Sequence, residues 1–210
     1  MQHYIIDTNF FFNLEINTDF GKNAKENISQ FSILAEKIRK AGKAQFYMPP
    51  RILEEFFTFV DRSDKEIQNF LSNIIVKAPH RDNLNFPADI FYDLVEEMRH
   101  RAYRGLQVSE DELGNAAKDV HLKSDLDRIA YQKTFGEHVT RLRDRYRMAT
   151  RSKFLDSVAD LDLILLTKEL GGILISADEG VIRWGRRFGV REVMPQFLKS
   201  QLEPLLSENE

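Results

Sequence analysis

The sequence contains no cysteine, which excludes structural disulfides and thiolate-bound zinc. It has no apolar run that approaches the roughly 18 residues a membrane-spanning helix needs. The residues before Asp7 also lack the basic and apolar regions of a secretory signal. We therefore expect a soluble, cytoplasmic chain without a membrane partner. At 210 residues, it is long enough for one domain with a substantial core and an insertion.

The sequence also lacks an excess of positive charge, since its formal net charge is −3 at pH 7, which by itself disfavours nucleic-acid binding. Residues 138–153 nevertheless form a concentrated basic segment in which Asp144 is the only acid. Its arginines are Arg141, Arg143, Arg145, Arg147 and Arg151. On a helix, Arg143, Arg147 and Arg151 form one stripe and the other two a neighbouring stripe. These stripes suit contacts with RNA phosphates, and a solvated charged face is the alternative.

Strand-like and helix-like apolar patterns alternate along much of the chain. Strands are predicted at residues 3–7, 45–48, 74–77, 172–176 and 190–193. Helical spacing follows the first two strands, and this alternation predicts an α/β fold with a parallel sheet flanked by helices. Ligand sites in such sheets lie beyond the carboxyl ends of the strands. Asp7 and Asp178 both fall there, so we expect them to converge.

The block from residue 87 to residue 152 has no strand pattern. Residues 90–103 and 122–150 instead carry charged helical spacing, which predicts an inserted long helical hairpin. Turn and capping residues at 108–114 leave the end of its first helix open. We expect residues 1–86 and 153–210 to form the core around this insertion.

Asp160 and Asp162 lie in the first turn of a predicted helix that begins after Ser157 and ends at Gly171. Two residues along a helix correspond to about 200° of rotation, so the two carboxylates do not face one point on a regular helix. Acids in a first turn are also common capping groups, and this structural role is the alternative to a catalytic one.

Three motifs together resemble the pattern of PIN-domain ribonucleases. They are Asp7-Thr8-Asn9, Asp160 followed by Gly171, and Ser176-Ala177-Asp178. The family also has an acid on the helix after the second strand, which Glu55 matches best, with the neighbouring Glu54 as the alternative. The resemblance implies a PIN-like fold with a cluster of active-site acids.

The chain resembles most closely the HARP family of protein-only minimal ribonuclease P, also called RNA ligase partner proteins. The resembling stretches are residues 46–50, 74–77, 160–170 and 176–180, with the helical insertion. The resemblance implies that Asp160 and Asp162 are both active-site residues and that precursor tRNA loses its 5′ leader without an RNA subunit. It also implies a homo-oligomer formed through the insertion. Apolar candidates for these contacts are Ile90, Phe91, Leu94, Leu106 and Leu113.

Clustered carboxylates repel one another unless hard cations such as Mg²⁺ or Mn²⁺ neutralise them. We expect two ions, bound by Asp7, Asp160, Asp162 and Asp178, and products with a 5′ phosphate and a 3′ hydroxyl. Asn9 and Ser176 then orient carboxylates, while Thr8 either does the same or forms a local turn. The alternative functions are a PIN endoribonuclease acting on other RNA and a noncatalytic RNA-binding assembly protein.

Overall fold

The computed structural model describes residues 1–13, 18–82, 84–122, 127–151, 155 and 157–207, with only the backbone described at residues 120, 122 and 151. The chain divides into two compact units. We call Met1–Pro87 together with Leu155–Glu210 the core unit, and Ala88–Phe154 the helical hairpin. No helix within the described ranges is both long and apolar enough to cross a membrane.

The core unit contains a parallel five-stranded sheet in the order β3-β2-β1-β4-β5. Its strands are β1 (Gln2–Ile6), β2 (Ala44–Met48), β3 (Ile74–Val76), β4 (Ile173–Ile175) and β5 (Arg191–Val193). The sheet extends through β2 and β3 on one side of β1, and through β4 and β5 on the other. The order therefore reverses between β1 and β4, the place where open α/β sheets bind ligands. The predicted parallel α/β architecture is confirmed.

The helices accompany the strands in alternation. In chain order they are α1 (Asn9–Phe12), α2 (Ala24–Lys40), α3 (Pro50–Phe59), α4 (Lys65–Leu71), α5 (Asp89–Leu122), α6 (Arg128–Arg151), α7 (Val158–Leu170), α8 (Glu179–Arg187), α9 (Pro195–Leu202) and α10 (Pro204–Ser207). The start and stop predicted for α7 are confirmed. Ser157 caps its first turn, and Gly171 ends it at a φ of 58°, a left-handed conformation that glycine adopts without a steric penalty.

A cluster of phenylalanines holds the segment that follows β1. Phe10 and Phe11 of α1 are both fully buried. The Phe11 ring lies edge-on to Phe70 at 5.1 Å and to Phe31 at 5.6 Å between ring centroids. Edge-to-face pairs of this kind add to the free energy gained by burying the rings. Because α1 begins only two residues after Asp7, this packing fixes the backbone on which Asp7 and Asn9 lie.

In the helical hairpin, α5 and α6 run antiparallel, because residues farther along α5 contact residues nearer the start of α6. The Arg104 guanidinium donates to the backbone oxygen of Ala149 at 2.8 Å. A Cβ added at Gly105 would lie 2.6 Å from the Tyr146 ring, so a side chain there would displace this ring.

The turn and capping residues at 108–114 do not end a helix, because α5 continues through them to Leu122. Glu112 within this segment is buried and hydrogen-bonded to α6, and this interhelical contact outweighs the local turn preference. The second helix begins at Arg128 rather than at residue 122. Asp127 accepts a hydrogen bond from the amide of Ala130 at 2.7 Å, in the manner of an N-cap.

Candidate active site

Asp7 lies directly after β1, at the reversal point of the sheet. The preceding residues Tyr4, Ile5 and Ile6 are buried, so the strand carries Asp7 into the interior, where it is 2% exposed. Its amide donates to the backbone oxygen of Ile175 at 3.0 Å. Because β1 and β4 are adjacent and parallel, the residues that follow them meet at one edge of the sheet.

Ser176 joins the two strand ends. Its hydroxyl donates to Oδ2 of Asp7 at 2.6 Å and accepts from the amide of Asp178 at 3.1 Å. Asn9 donates to the same Asp7 carboxylate from its backbone amide at 3.3 Å and from Nδ2 at 3.4 Å. Ser176 and Asn9 thus make the contacts that an orienting role for them requires.

Thr8 connects Asp7 to α3. Its hydroxyl lies 3.4 Å from Oδ1 of Asp7 and 3.1 Å from Oε1 of Glu55, and its single proton is donated to one carboxylate at a time. It makes no capping hydrogen bond to α1, which argues against the local-turn alternative. The contact also shows that Glu55, rather than Glu54, faces the site.

The pKa of Asp7 is raised to about 6, chiefly because burial disfavours the charged form. The hydrogen bonds from Ser176 and Asn9 lower the pKa, while the negative charges of Glu55 and Asp178 raise it further. Asp7, Glu55 and Asp178 therefore form a region of accumulated negative charge, in which Asp7 accepts hydrogen bonds from the neutral donors Thr8, Asn9 and Ser176.

Asp178 and Asp160 each cap a helix. Oδ1 of Asp178 accepts from the amide of Val181 at 2.9 Å as the N-cap of α8. Asp160 completes a capping box with Ser157: the Asp160 amide donates to the serine hydroxyl at 3.1 Å, and the Ser157 amide donates to Oδ2 of Asp160 at 3.2 Å. The capping role anticipated for Asp160 is therefore real.

Asp162 is engaged differently from the other acids. Its buried carboxylate accepts from Nη1 of Arg51 at 2.5 Å and from Nη2 of Arg81 at 3.1 Å. Sequence reasoning did not identify these arginines. Arg51 stands four residues before Glu55, a spacing that places both on one face of α3, and this signal was available. Arg81 lies in a segment without helix or strand, and no sequence pattern points to it.

The chemistry of the donor set fits a hard divalent cation. Asp7, Glu55 and Asp178 offer only oxygen ligands, which Mg²⁺ and Mn²⁺ prefer, and a cation there would compensate the buried charge of Asp7 and its repulsion by Glu55 and Asp178. Within the described part of the chain, no three histidine or acidic side chains are grouped closely enough to hold an ion as they stand. Metal binding by Asp7, Asp160, Asp162 and Asp178 thus stays a prediction.

The arginines of the basic segment fall into two groups on α6. Arg145 donates to Glu112 at 2.8 Å and to Asp111 at 3.2 Å, and Arg141 lies 3.5 Å from Glu112. Arg143 and Arg147 are exposed and show no ion pair with any described residue. The side chain of Arg151 lies outside the described part of the structure. Arg143 and Arg147 are therefore the described arginines of this segment available to a ligand.

Comparison with known proteins supplies the family context of this site. A family model described as PINc domain ribonuclease matches residues 3–207. A protein of Nitrosococcus oceani named RNA-free ribonuclease P is 35% identical over 99% of this chain and 97% of its own length. Proteins of the same name from Pyrococcus furiosus and Thermodesulfovibrio yellowstonii are 33% and 36% identical, over 100% and 94% of this chain and 97% and 92% of their own lengths.

Proposed function

Since the chain belongs to the PINc-domain ribonuclease family, in a branch with the RNA-free ribonuclease P proteins, we propose that it is a metal-dependent endoribonuclease that removes the 5′ leader of precursor tRNA without an RNA subunit. The observation that carries the proposal is similarity along nearly the whole chain, which includes the helical hairpin as well as the core unit. Similarity confined to the core unit would support only a general PIN nuclease.

The site supports hydrolysis of a phosphodiester by groups this chain supplies. Asp7, Asp160 and Asp178 are the proposed ligands of divalent ions, and Glu55 lies near Asp7 through its contact with Thr8. Bound ions would supply Lewis-acid activation of water and neutralise charge on the phosphate. Ser176 and Asn9 hold the carboxylate of Asp7 in one orientation. The products are expected to be a tRNA with a 5′ phosphate and a leader with a 3′ hydroxyl.

The substrate assignment is tested with end-labelled precursor tRNA and an unstructured RNA of equal length, each with Mg²⁺ or Mn²⁺. We expect one cut at the mature 5′ end of the precursor tRNA and much slower cleavage of the unstructured RNA. Equal rates on both RNAs would favour a PIN endoribonuclease acting on other RNA. Binding without cleavage under any metal condition would favour a noncatalytic RNA-binding assembly protein.

We also propose that the protein forms a homo-oligomer through the helical hairpin. Large apolar side chains are exposed along both helices, which is unusual for a surface that faces only water. Those more than half exposed are Phe91, Tyr92, Val95, Met98, Tyr103, Leu106, Leu113, Ile129 and Met148. Ile90, a candidate from the sequence, is buried and is not available for such contacts.

Light scattering of the purified chain at micromolar concentration tests this assembly. The wild-type protein should have a mass several times that of one chain, and Leu106→Glu/Leu113→Glu should reduce it, because a charge in an apolar interface is not compensated. Glu110→Gln, an exposed change on the same helix, is the control. A monomeric wild-type protein would contradict the proposal.

A further inference from the structure

We propose that Arg51 and Arg81 form a phosphate-binding pair for the RNA backbone beside the acidic site, and that Asp162 is the positioning residue that holds them. The inference rests on the proposed function, since it concerns how an RNA substrate is held. It assigns Asp162 a role different from that of a metal ligand. All three residues belong to the core unit.

Asp162 binds a different arginine with each of its two carboxylate oxygens. Oδ2 accepts from Arg51 at 2.5 Å, and Oδ1 accepts from Arg81 at 3.1 Å. The side chain of Asp162 is only 4% exposed, so it is fixed by its surroundings and by both ion pairs. A carboxylate with each oxygen occupied by a different guanidinium is arranged to orient two cations.

Both arginines keep exposed N–H donors for a further ligand. Their side chains are 47% and 55% exposed, and neither guanidinium makes another hydrogen bond or ion pair to the described residues. Each guanidinium has five N–H donors in a rigid fork, of which Asp162 takes one. Arg51, Arg81 and Asp162 together carry one net positive charge. The remaining N–H donors of the arginines match the geometry of phosphate oxygens.

Arg51 and Glu55 are four residues apart on α3, which places their side chains next to each other on one helix face, with Cβ atoms roughly 5–6 Å apart. Glu55 contacts Thr8, and Thr8 contacts Asp7. A chain of neighbouring side chains thus leads from Asp7 to the arginine pair. A phosphate on the pair would belong to a nucleotide near the one being cleaved.

Binding of precursor tRNA in the absence of divalent ions measures the proposed contact directly. Arg51→Ala and Arg81→Ala should each weaken binding about tenfold, as loss of a charge-assisted hydrogen bond does. Each should flatten the dependence of log Kd on log salt by roughly 0.7 to 0.9. Arg186→Ala is the matched control, since Arg186 is equally exposed and paired with Glu192 at 2.6 Å near the far end of α8. It should leave both quantities unchanged.

The variant Asp162→Asn distinguishes positioning of the two arginines by Asp162 from metal binding by this residue. Because the arginines lose their anchor, RNA binding should weaken, while the Mn²⁺ concentration that gives half the maximal cleavage rate should stay the same. In an Arg51→Ala/Arg81→Ala background, Asp162→Asn should have no further effect on RNA binding, since the residues act as one unit. This triple variant also removes the buried unpaired charge that the double variant would leave, so it keeps the test available if the double variant does not fold.

Two results would overturn the inference for a protein that cleaves RNA. One is wild-type affinity and salt dependence in the arginine variants. The other is a severalfold rise in the Mn²⁺ requirement of Asp162→Asn, which would identify Asp162 as a metal ligand. A wild-type protein that neither binds nor cleaves RNA would instead refute the proposed function and this inference with it.

Discussion

The core unit and the helical hairpin each contain a carboxylate that is 2% exposed, and the two carboxylates have opposite surroundings. In the hairpin, Glu112 contacts His138 at 2.9 Å, Arg145 at 2.8 Å and Arg141 at 3.5 Å. Its pKa is lowered, first by the hydrogen bond from His138 and also by both arginines. In the core unit, Asp7 contacts hydroxyl and amide groups, and its pKa is raised by burial and by nearby acids.

These surroundings indicate a structural role for the buried charge of Glu112 and a functional role for that of Asp7. Glu112 on α5 is compensated by partners on α6, so the network ties the two helices together. Asp7 has no such compensation among the contacts described, and an ionised carboxylate in that position destabilises the fold. A buried acid with a raised pKa, held in place by three hydrogen-bonding neighbours, is typical of a functional site.

The sharpest test of this contrast is Asp7→Asn, which removes the uncompensated charge and keeps the shape. Cleavage of precursor tRNA should fall by more than the roughly 10- to 100-fold that loss of an outer hydrogen-bond partner of a metal ligand causes. Mn²⁺ should raise the Tm of the wild-type protein but not of the variant, because a ligand that binds only the folded state stabilises it. Asp61→Asn, an exposed change in the core unit, should behave as wild type in both assays.

The same substitution should affect stability in a direction set by the raised pKa of Asp7. A carboxyl with a folded-state pKa of about 6 and an unfolded value of about 3.9 stabilises the fold while it is protonated. That contribution is complete below pH of about 4 and is lost as the pH rises through about 6. In metal-free buffer, Asp7→Asn should therefore be more stable than wild type above pH 7, by up to about 3 kcal/mol.

Urea unfolding of both proteins between pH 4 and pH 8 measures this difference. The two curves should converge at the acidic end, where Asp7 in the wild-type protein is protonated. A stability difference that is constant with pH would mean that the charge of Asp7 is compensated after all.

The central part of the site was predictable because it follows from strand order. Parallel strands end at one edge of a sheet, and this is why Asp7 and Ser176, which are 169 residues apart, are in contact. The preference for Glu55 over Glu54 came from the family resemblance alone, since both are exposed on one short helix, and the contact of Glu55 with Thr8 agrees with it. Arg81 pairs with Asp162 across 81 residues from a segment without periodicity, so only the folded chain reveals that contact.

The helical hairpin was predictable as helical but not in its boundaries. Local preferences at 108–114 indicated a turn, and the contacts of buried Glu112 with His138 and Arg145 of α6 override them. The sequence also did not show which arginines of α6 pair with acids, because the periodicity of α6 does not reveal which arginine stripe contacts α5. Partners of this kind are set by tertiary packing.

Substitution of Glu112, the compensated carboxylate, should destabilise the protein. This effect is smaller than the gain in stability expected for Asp7→Asn and has the opposite sign. Glu112→Gln should lower the protection of α5 and α6 from hydrogen exchange, with a loss of about 1–3 kcal/mol, because charge-assisted hydrogen bonds become neutral ones. The folded-state pKa of Glu112 is lowered, so its contribution is present above about pH 4.3 and is lost as the pH falls. Glu110→Gln, an exposed change on α5, is the control, and equal protection in both variants would contradict the structural role.

The smallest expected effect is on RNA binding by the exposed arginines of the hairpin, as opposed to those that stabilise it. Arg143 and Arg147 have no acidic partner among the described residues, whereas Arg145 joins Glu112 and Asp111. If Arg143 and Arg147 contact phosphates, Arg143→Ala/Arg147→Ala should reduce the slope of log Kd against log salt for precursor tRNA by about 0.9 per contact, without moving the cleavage position. Arg145→Ala should instead lower hairpin stability. An unchanged salt slope in the double variant would show that this stripe is a solvated face. The distinction between structural and functional charges would then hold for Asp7 and Glu112 but not for the arginines of α6.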